Sequence, residues 1–107
     1  ASAQDFVLNC KEDGQRLAGK WEFFLDGSFA VYTYPGSTVP SPYREPIVFS
    51  DADFITILTG EEMLRQVWTI DRRSGRFFVG GVYIRAEGLG DRVLTAGSTS
   101  GQCVQRF

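Results

Sequence analysis

The residue types in this chain restrict its chemistry before any fold is considered. There is no histidine, which closes off Ser-His-Asp and Cys-His nucleophiles and the commonest zinc sites. Carboxylates and guanidiniums remain. Asp51 with Asp53, and Glu61 with Glu62, are the pairs close enough in sequence for shared acid-base work. Asp51 and Asp53 fall within Ser50-Asp51-Ala52-Asp53, where aspartate usually serves the backbone of a turn; a weak Ca²⁺ site is the sharper alternative. Glu61 and Glu62 are adjacent and face opposite ways in extended chain, as in a solvated hairpin. Arg72, Arg73 and Arg76 gather around one hairpin tip, either simply solvated or ready to engage a carboxylate or phosphate through bidentate contacts. Tyr34 to Tyr43 joins proline rigidity to two amphipathic aromatics. That composition suits a preorganised protein-contact loop or a cap over a barrel mouth. No catalytic set emerges, so the reading is non-enzymatic, without cofactor or metal.

Cys10 and Cys103 are the two cysteines of the 107-residue chain and stand near its opposite ends. A bridge between them would tie the first strand to the last and stabilise the fold by roughly 4–5 kcal/mol on the chain-entropy view. Two buried free thiols are the plainer alternative. A persistent bridge requires an oxidising compartment, which points to a periplasmic or secreted protein. Ala1-Ser2-Ala3-Gln4 looks like the small-residue remnant of a signal-peptide cleavage, or an appended scar. The net charge of -2 gives no general attraction to nucleic-acid phosphates. No apolar run approaches the ~20 residues of a spanning helix.

These residues must be positioned by strands. Alternating apolar positions and closely spaced turn signals run the length of the chain, and no window has helical apolar spacing. Phe6, Leu8 and Cys10 share a face, as do Trp21, Phe23 and Leu25, and Trp68 with Ile70. The two tryptophans therefore belong to the core, and a hollow interior would be lined by Trp21, Phe23, Trp68 and Phe77. An eight-stranded barrel is only just wide enough for side chains, so a filled interior is expected. Asp26-Gly27 predicts a type I′ hairpin turn, and Asp71 to Gly75 a type I turn closed by a left-handed glycine. Four prolines between residues 35 and 46 make that segment a long loop or broken edge. Gly80-Gly81 predicts a bulge or sharp bend, Gly88 to Asp91 a turn, and Val93-Leu94-Thr95 and Cys103 to Phe107 two further strands. The expected fold is all-β: one domain over residues 1–107, a small antiparallel up-and-down barrel of eight or nine strands joined first to last by the disulfide. A two-sheet β-sandwich is the alternative.

Three features together resemble small exported bacterial proteins of uncharacterised function: the strand Phe6 to Lys11, the segment Trp68-Thr69-Ile70-Asp71-Arg72-Arg73-Ser74-Gly75, and the ending Gly101-Gln102-Cys103-Val104-Gln105-Arg106-Phe107. A barrel with cysteines in its first and last strands is similar to the periplasmic inhibitors of c-type lysozyme. Ser74-Gly75-Arg76-Phe77-Phe78 echoes their Ser-Gly-x-x-Tyr inhibitory loop, with Phe78 where they have tyrosine. Leu17-Ala18-Gly19-Lys20-Trp21 resembles the Gly-x-Trp opening of calycin barrels, bacterial metalloprotease inhibitors among them, whose late arginine would correspond to Arg106. These resemblances imply a binding protein of the bacterial envelope that inhibits a hydrolase such as lysozyme or a protease. Its contacts would run through Arg72, Arg73, Arg76, Tyr34 and Tyr43. A carrier of a small apolar ligand in the barrel interior is the alternative function, and a carboxylate-based enzyme a third.

Overall fold

A computed structural model describes residues 4–61, 64–87 and 91–106. Among them the chain forms eight strands: β1 (Phe6–Glu12), β2 (Gly19–Phe24), β3 (Phe29–Thr33), β4 (Glu45–Ser50), β5 (Phe54–Glu61), β6 (Leu64–Asp71), β7 (Arg76–Glu87) and β8 (Asp91–Arg106). Each pairs antiparallel with the next, and β8 returns to β1, closing the barrel. Closure gives each described strand a neighbour on both sides, the thinnest seam being the two register pairs of β3 and β4. Cys10 and Cys103 lie directly opposite each other in the β1–β8 register and are bonded.

Alternation decides which side chains point inward. Leu8 and Cys10, Trp21 and Phe23, Ile55 and Ile57, Trp68 and Ile70, and Phe77 and Val79 are all buried, at every second position of their strands. Large groups are set beside small ones. Gly101 pairs with Phe77, and a β-carbon on Gly101 would run into that ring, so its missing side chain is the space the ring occupies. Phe23 pairs with Ala30 on one side and stacks on Phe6 at 4.6 Å on the other.

One half of the barrel is filled in this way and the other is not. Further along the strands the inward positions become Thr59, Gln66, Gly81, Gly97 and Thr99. Side chains this small or polar cannot meet across the interior, so the barrel ends there in an open cup. The expected filled interior holds for half of the molecule only.

Other local expectations shift as well. The segment from residue 91 to 106 is one strand, because Ala96 to Gly101 stays extended against β7 without a turn, and this fixes the count at eight. The Asp26-Gly27 turn is not type I′. Residues 25–28 form the loop, Ser28 N–H donates to Leu25 O at 3.1 Å, and the positive φ falls on Ser28. Both β6–β7 and β7–β8 registers pass through Gly80 and Gly81 unbroken; the bulge lies in β4, between Ile47 and Phe49. The loop before β4 covers residues 34–44, and Pro46 sits inside the strand. It is tolerated because the β3–β4 seam holds only two register pairs there. Gly75 is left-handed, with φ 79°, as expected. The Gly88-Leu89-Gly90 turn, Glu62, Phe107 and the N-terminal Ala1-Ser2-Ala3 lie outside the described residues. Among those described, no helix is long and apolar enough to cross a membrane.

Candidate functional site

The open end of the barrel is a cavity of about 750 Å³. Its floor is aromatic. Trp21 of β2 meets Trp68 of β6 edge to face at 5.3 Å, and Tyr32 of β3 lies 4.7 Å from Trp21 and 5.6 Å from Trp68. Tyr34, just beyond β3, continues the cluster at 5.0 Å from Tyr32. Edge-to-face packing of this kind stabilises the rings beyond their buried area and holds them in place. Trp21 is only 1% exposed, and its Nε1 has no hydrogen-bond partner among the described residues.

The upper wall is polar. Thr59, Gln66 and Thr99 face inward from β5, β6 and β8, with Thr59 Oγ1 and Gln66 Oε1 3.4 Å apart. Two loops finish the rim on the side where the strands are short. Residues 13–18 contribute Gln15, Arg16 and Leu17, and residues 34–44 contribute Tyr34, Pro35 and Ser41. The second loop is fastened by its serines. Ser37 N–H donates to Tyr34 O at 3.0 Å, Ser41 N–H to Tyr32 O at 2.8 Å, and Tyr43 N–H to Ser41 Oγ at 3.3 Å.

Charge enters the cup through Glu12, Arg16 and Glu45. Burial, reinforced by the negative charge of Glu12 and then of Tyr34, pushes the Tyr32 hydroxyl up to about 12. The Tyr32 hydroxyl fits against Gly19, whose β-carbon, if it had one, would collide with it.

The residues singled out from sequence are not brought together. Tyr34 stands on the rim and Tyr43 is exposed on the same loop. Arg72 and Arg73 lie at the opposite, filled end, and all three arginines are engaged within the fold. Arg72 Nη1 donates to Asp51 O at 2.7 Å, and its guanidinium stands 5.1 Å from the centre of the Phe6 ring. Arg73 Nε pairs with Asp53 Oδ1 at 2.6 Å. Arg76 leaves the turn altogether to grip Asp13 on the outer wall, Nη1 to Oδ1 at 3.2 Å and Nη2 to Oδ2 at 2.9 Å. Ser100 Oγ donates to Asp13 Oδ2 at 2.9 Å. Together these hold the Asp13 carboxyl below the usual carboxylate range, the Arg76 bond first.

The aspartates serve turns. Asp51 Oδ1 accepts from the N–H groups of Phe54 at 2.7 Å and Asp53 at 2.8 Å, which lowers its pKa. Asp71 Oδ1 accepts from Arg73 N–H at 2.9 Å and Ser74 N–H at 3.2 Å, with the same effect. Among the described residues, no three His, Cys, Asp or Glu side chains converge to hold a metal ion. The side chain of Arg106 lies outside the described part.

Of the four residues that the sequence offers as the lining of a hollow interior, Trp21 and Trp68 line the cavity while Phe23 and Phe77 are buried in the filled half; the sequence reading did not place the cup's polar wall. Its signal was the run of small or polar residues at inward positions 59, 66, 81, 97 and 99, which becomes readable only once the β5–β8 registers align them. The chain matches no protein-family model, no curated protein and no solved structure.

Proposed function

We propose that this protein binds a small, largely apolar ligand in the open end of its barrel. The observation that carries the reading is the cup itself. A cavity of about 750 Å³ falls within the roughly 300–1,000 Å³ of small-molecule sites, and its aromatic floor under a polar wall offers one end to an apolar body and the other to a polar group. Trp21, Trp68 and Tyr32 are already packed against one another, so binding orders few side chains and loses little entropy. The Cys10–Cys103 bridge is compatible with an oxidising extracellular compartment. A periplasmic or secreted binding protein is the corresponding biological setting.

A second reading, contact with a protein partner such as a hydrolase, is favoured by the loop at residues 34–44, which holds Tyr34, Val39 and Tyr43 exposed on a backbone fixed by serine hydrogen bonds. The internal contacts of Arg72, Arg73 and Arg76 weigh against the arginine tip as its other half.

Both tryptophans line the cavity, so intrinsic fluorescence reports directly on its occupancy. Titration with the uncharged probe N-phenyl-naphthylamine should quench that fluorescence saturably, one ligand per chain. Thr99→Phe, which fills the cup, should weaken binding at least tenfold while the unfolding midpoint is retained. Equal affinity in the filled variant, or no saturable binding by the parent, would overturn the cup as a ligand site.

A further inference from the structure

We propose that the projecting part of β8 is a pairing edge for a second copy of this chain, joined strand to strand about a twofold axis through Leu94. β1 covers only one end of that strand. The β1–β8 register runs from Val7 with Arg106 to Glu12 with Gly101, and the last bond of the seam is Asp13 N–H to Ser100 O at 2.9 Å. β7 stays paired with β8 as far as Glu87 and Asp91, while its own pairing with β6 stops at Tyr83. A two-stranded arm therefore projects from the barrel, in a molecule 49 Å long and 32 by 28 Å across. Successive residues of a strand turn their N–H and C=O groups to opposite sides. Ser100 O meets the β1 side, and Cys103 N–H donates to Gly75 O at 2.7 Å on the β7 side, so the even-numbered residues of β8 face β1. Beyond Ser100 these are Ser98, Ala96, Leu94 and Arg92, and among the described residues no strand pairs with them there.

This edge lacks the usual guards. Residues 93–100 hold no charge and no proline, β8 runs through them without a bulge, and Leu94, Ala96, Gly97 and Ser98 are all exposed. Natural edges are normally blunted by one of those devices, because open backbone groups template another strand. What fits is set by the strand itself. With Leu94 opposite the partner's Leu94, Ala96 opposite the partner's Arg92 and Arg92 opposite the partner's Ala96, each facing pair exchanges both of its backbone hydrogen bonds. In that register the partner's β8, which begins at the partner's Asp91, starts opposite Gly97 and stays clear of Ser100, already held by Asp13. Leu94 is 71% exposed on the outer wall, beside Ile84 of β7. Pairing sets Ile84, Leu94, the partner's Leu94 and the partner's Ile84 in one apolar row and takes both leucines out of water, a gain that a polar strand would not supply. The net charge of -2 leaves little repulsion between copies. This contact does not depend on a ligand in the cup.

Sedimentation equilibrium of the whole chain should show the mass rising from one chain to two as concentration increases through the micromolar range. Amide exchange followed by NMR should slow at Leu94 and Ala96 over the same range, while Thr95, whose backbone faces β7, is unchanged. Leu94→Lys and Leu94→Glu each set like charges directly opposite one another. Either variant alone should therefore stay a single chain with its unfolding midpoint retained, and an equimolar mixture of the two should recover the two-chain mass. A parent that stays single up to millimolar concentration, a dimer that survives in both variants, or a mixture that fails to pair would overturn the β8 edge as the contact.

Discussion

At the scale of single residues, the tyrosines separate wall from rim. Tyr32 is packed between Trp21 and Trp68 and faces the charge of Glu12, whereas Tyr43 projects into solvent. A group whose folded-state pKa is raised contributes stability that is complete below its unfolded value and is lost as pH climbs through the folded one. For Tyr32 that window runs from about 10 to about 12. A spectrophotometric titration of tyrosinate should therefore show one late step near the upper end, absent from Tyr32→Phe. A parent titration lacking that late step would mean that the hydroxyl is freely hydrated. The arginines teach the opposite lesson. By its place in the sequence Arg76 belongs to a charged tip, yet its partner is Asp13, 63 residues away.

At the scale of elements, β8 is informative because its glycines have different jobs along one strand. A β-carbon at Gly101 would strike the Lys11 carbonyl oxygen of β1 as well as the Phe77 ring, whereas one at Gly97 would meet nothing within 4 Å. Gly101→Ala should therefore cost about 1–3 kcal/mol, the usual range for overpacking a closed core. Gly97→Ala should stay within about 0.5 kcal/mol of the parent, as for an unhindered position. Equilibrium unfolding in urea measures both. Equal effects would show that the Phe77–Gly101 layer is looser than described. The same strand explains the corrected count, since small polar residues between Ala96 and Gly101 read as a break while hydrogen bonding to β7 keeps them extended.

For the whole molecule the decisive contact is the β1–β8 seam. It joins the two ends of the chain, and its bridge closes a loop with a sequence separation of 93. Cys10 and Cys103 are 2% and 5% exposed, so reductant should reach them slowly under native conditions and quickly once denaturant opens the barrel. The reduced protein should lose up to about 4–5 kcal/mol, the entropy of the opened loop recovered by the unfolded chain. Unfolding curves with and without reductant test this, and coincident midpoints would assign closure to backbone pairing alone.

The strand faces, the oxidised pair of cysteines and the barrel were legible in the sequence because each depends on local or pairwise rules. Alternation sets which side chains share a face, as with Trp68 and Ile70, and two cysteines leave only one intrachain pairing. Asp51 and Asp71 announced their turns for the same reason, since each bonds to backbone within three residues. The layer that opens the cup was not legible. Whether Thr59, Gln66, Gly81 and Gly97 form one layer depends on the registers of four strands at once, and a slip of a single residue would turn any of them outward. Nor could local rules place Glu12 beside Tyr32, because that neighbourhood exists only where β1, β2 and β3 curve around a common interior.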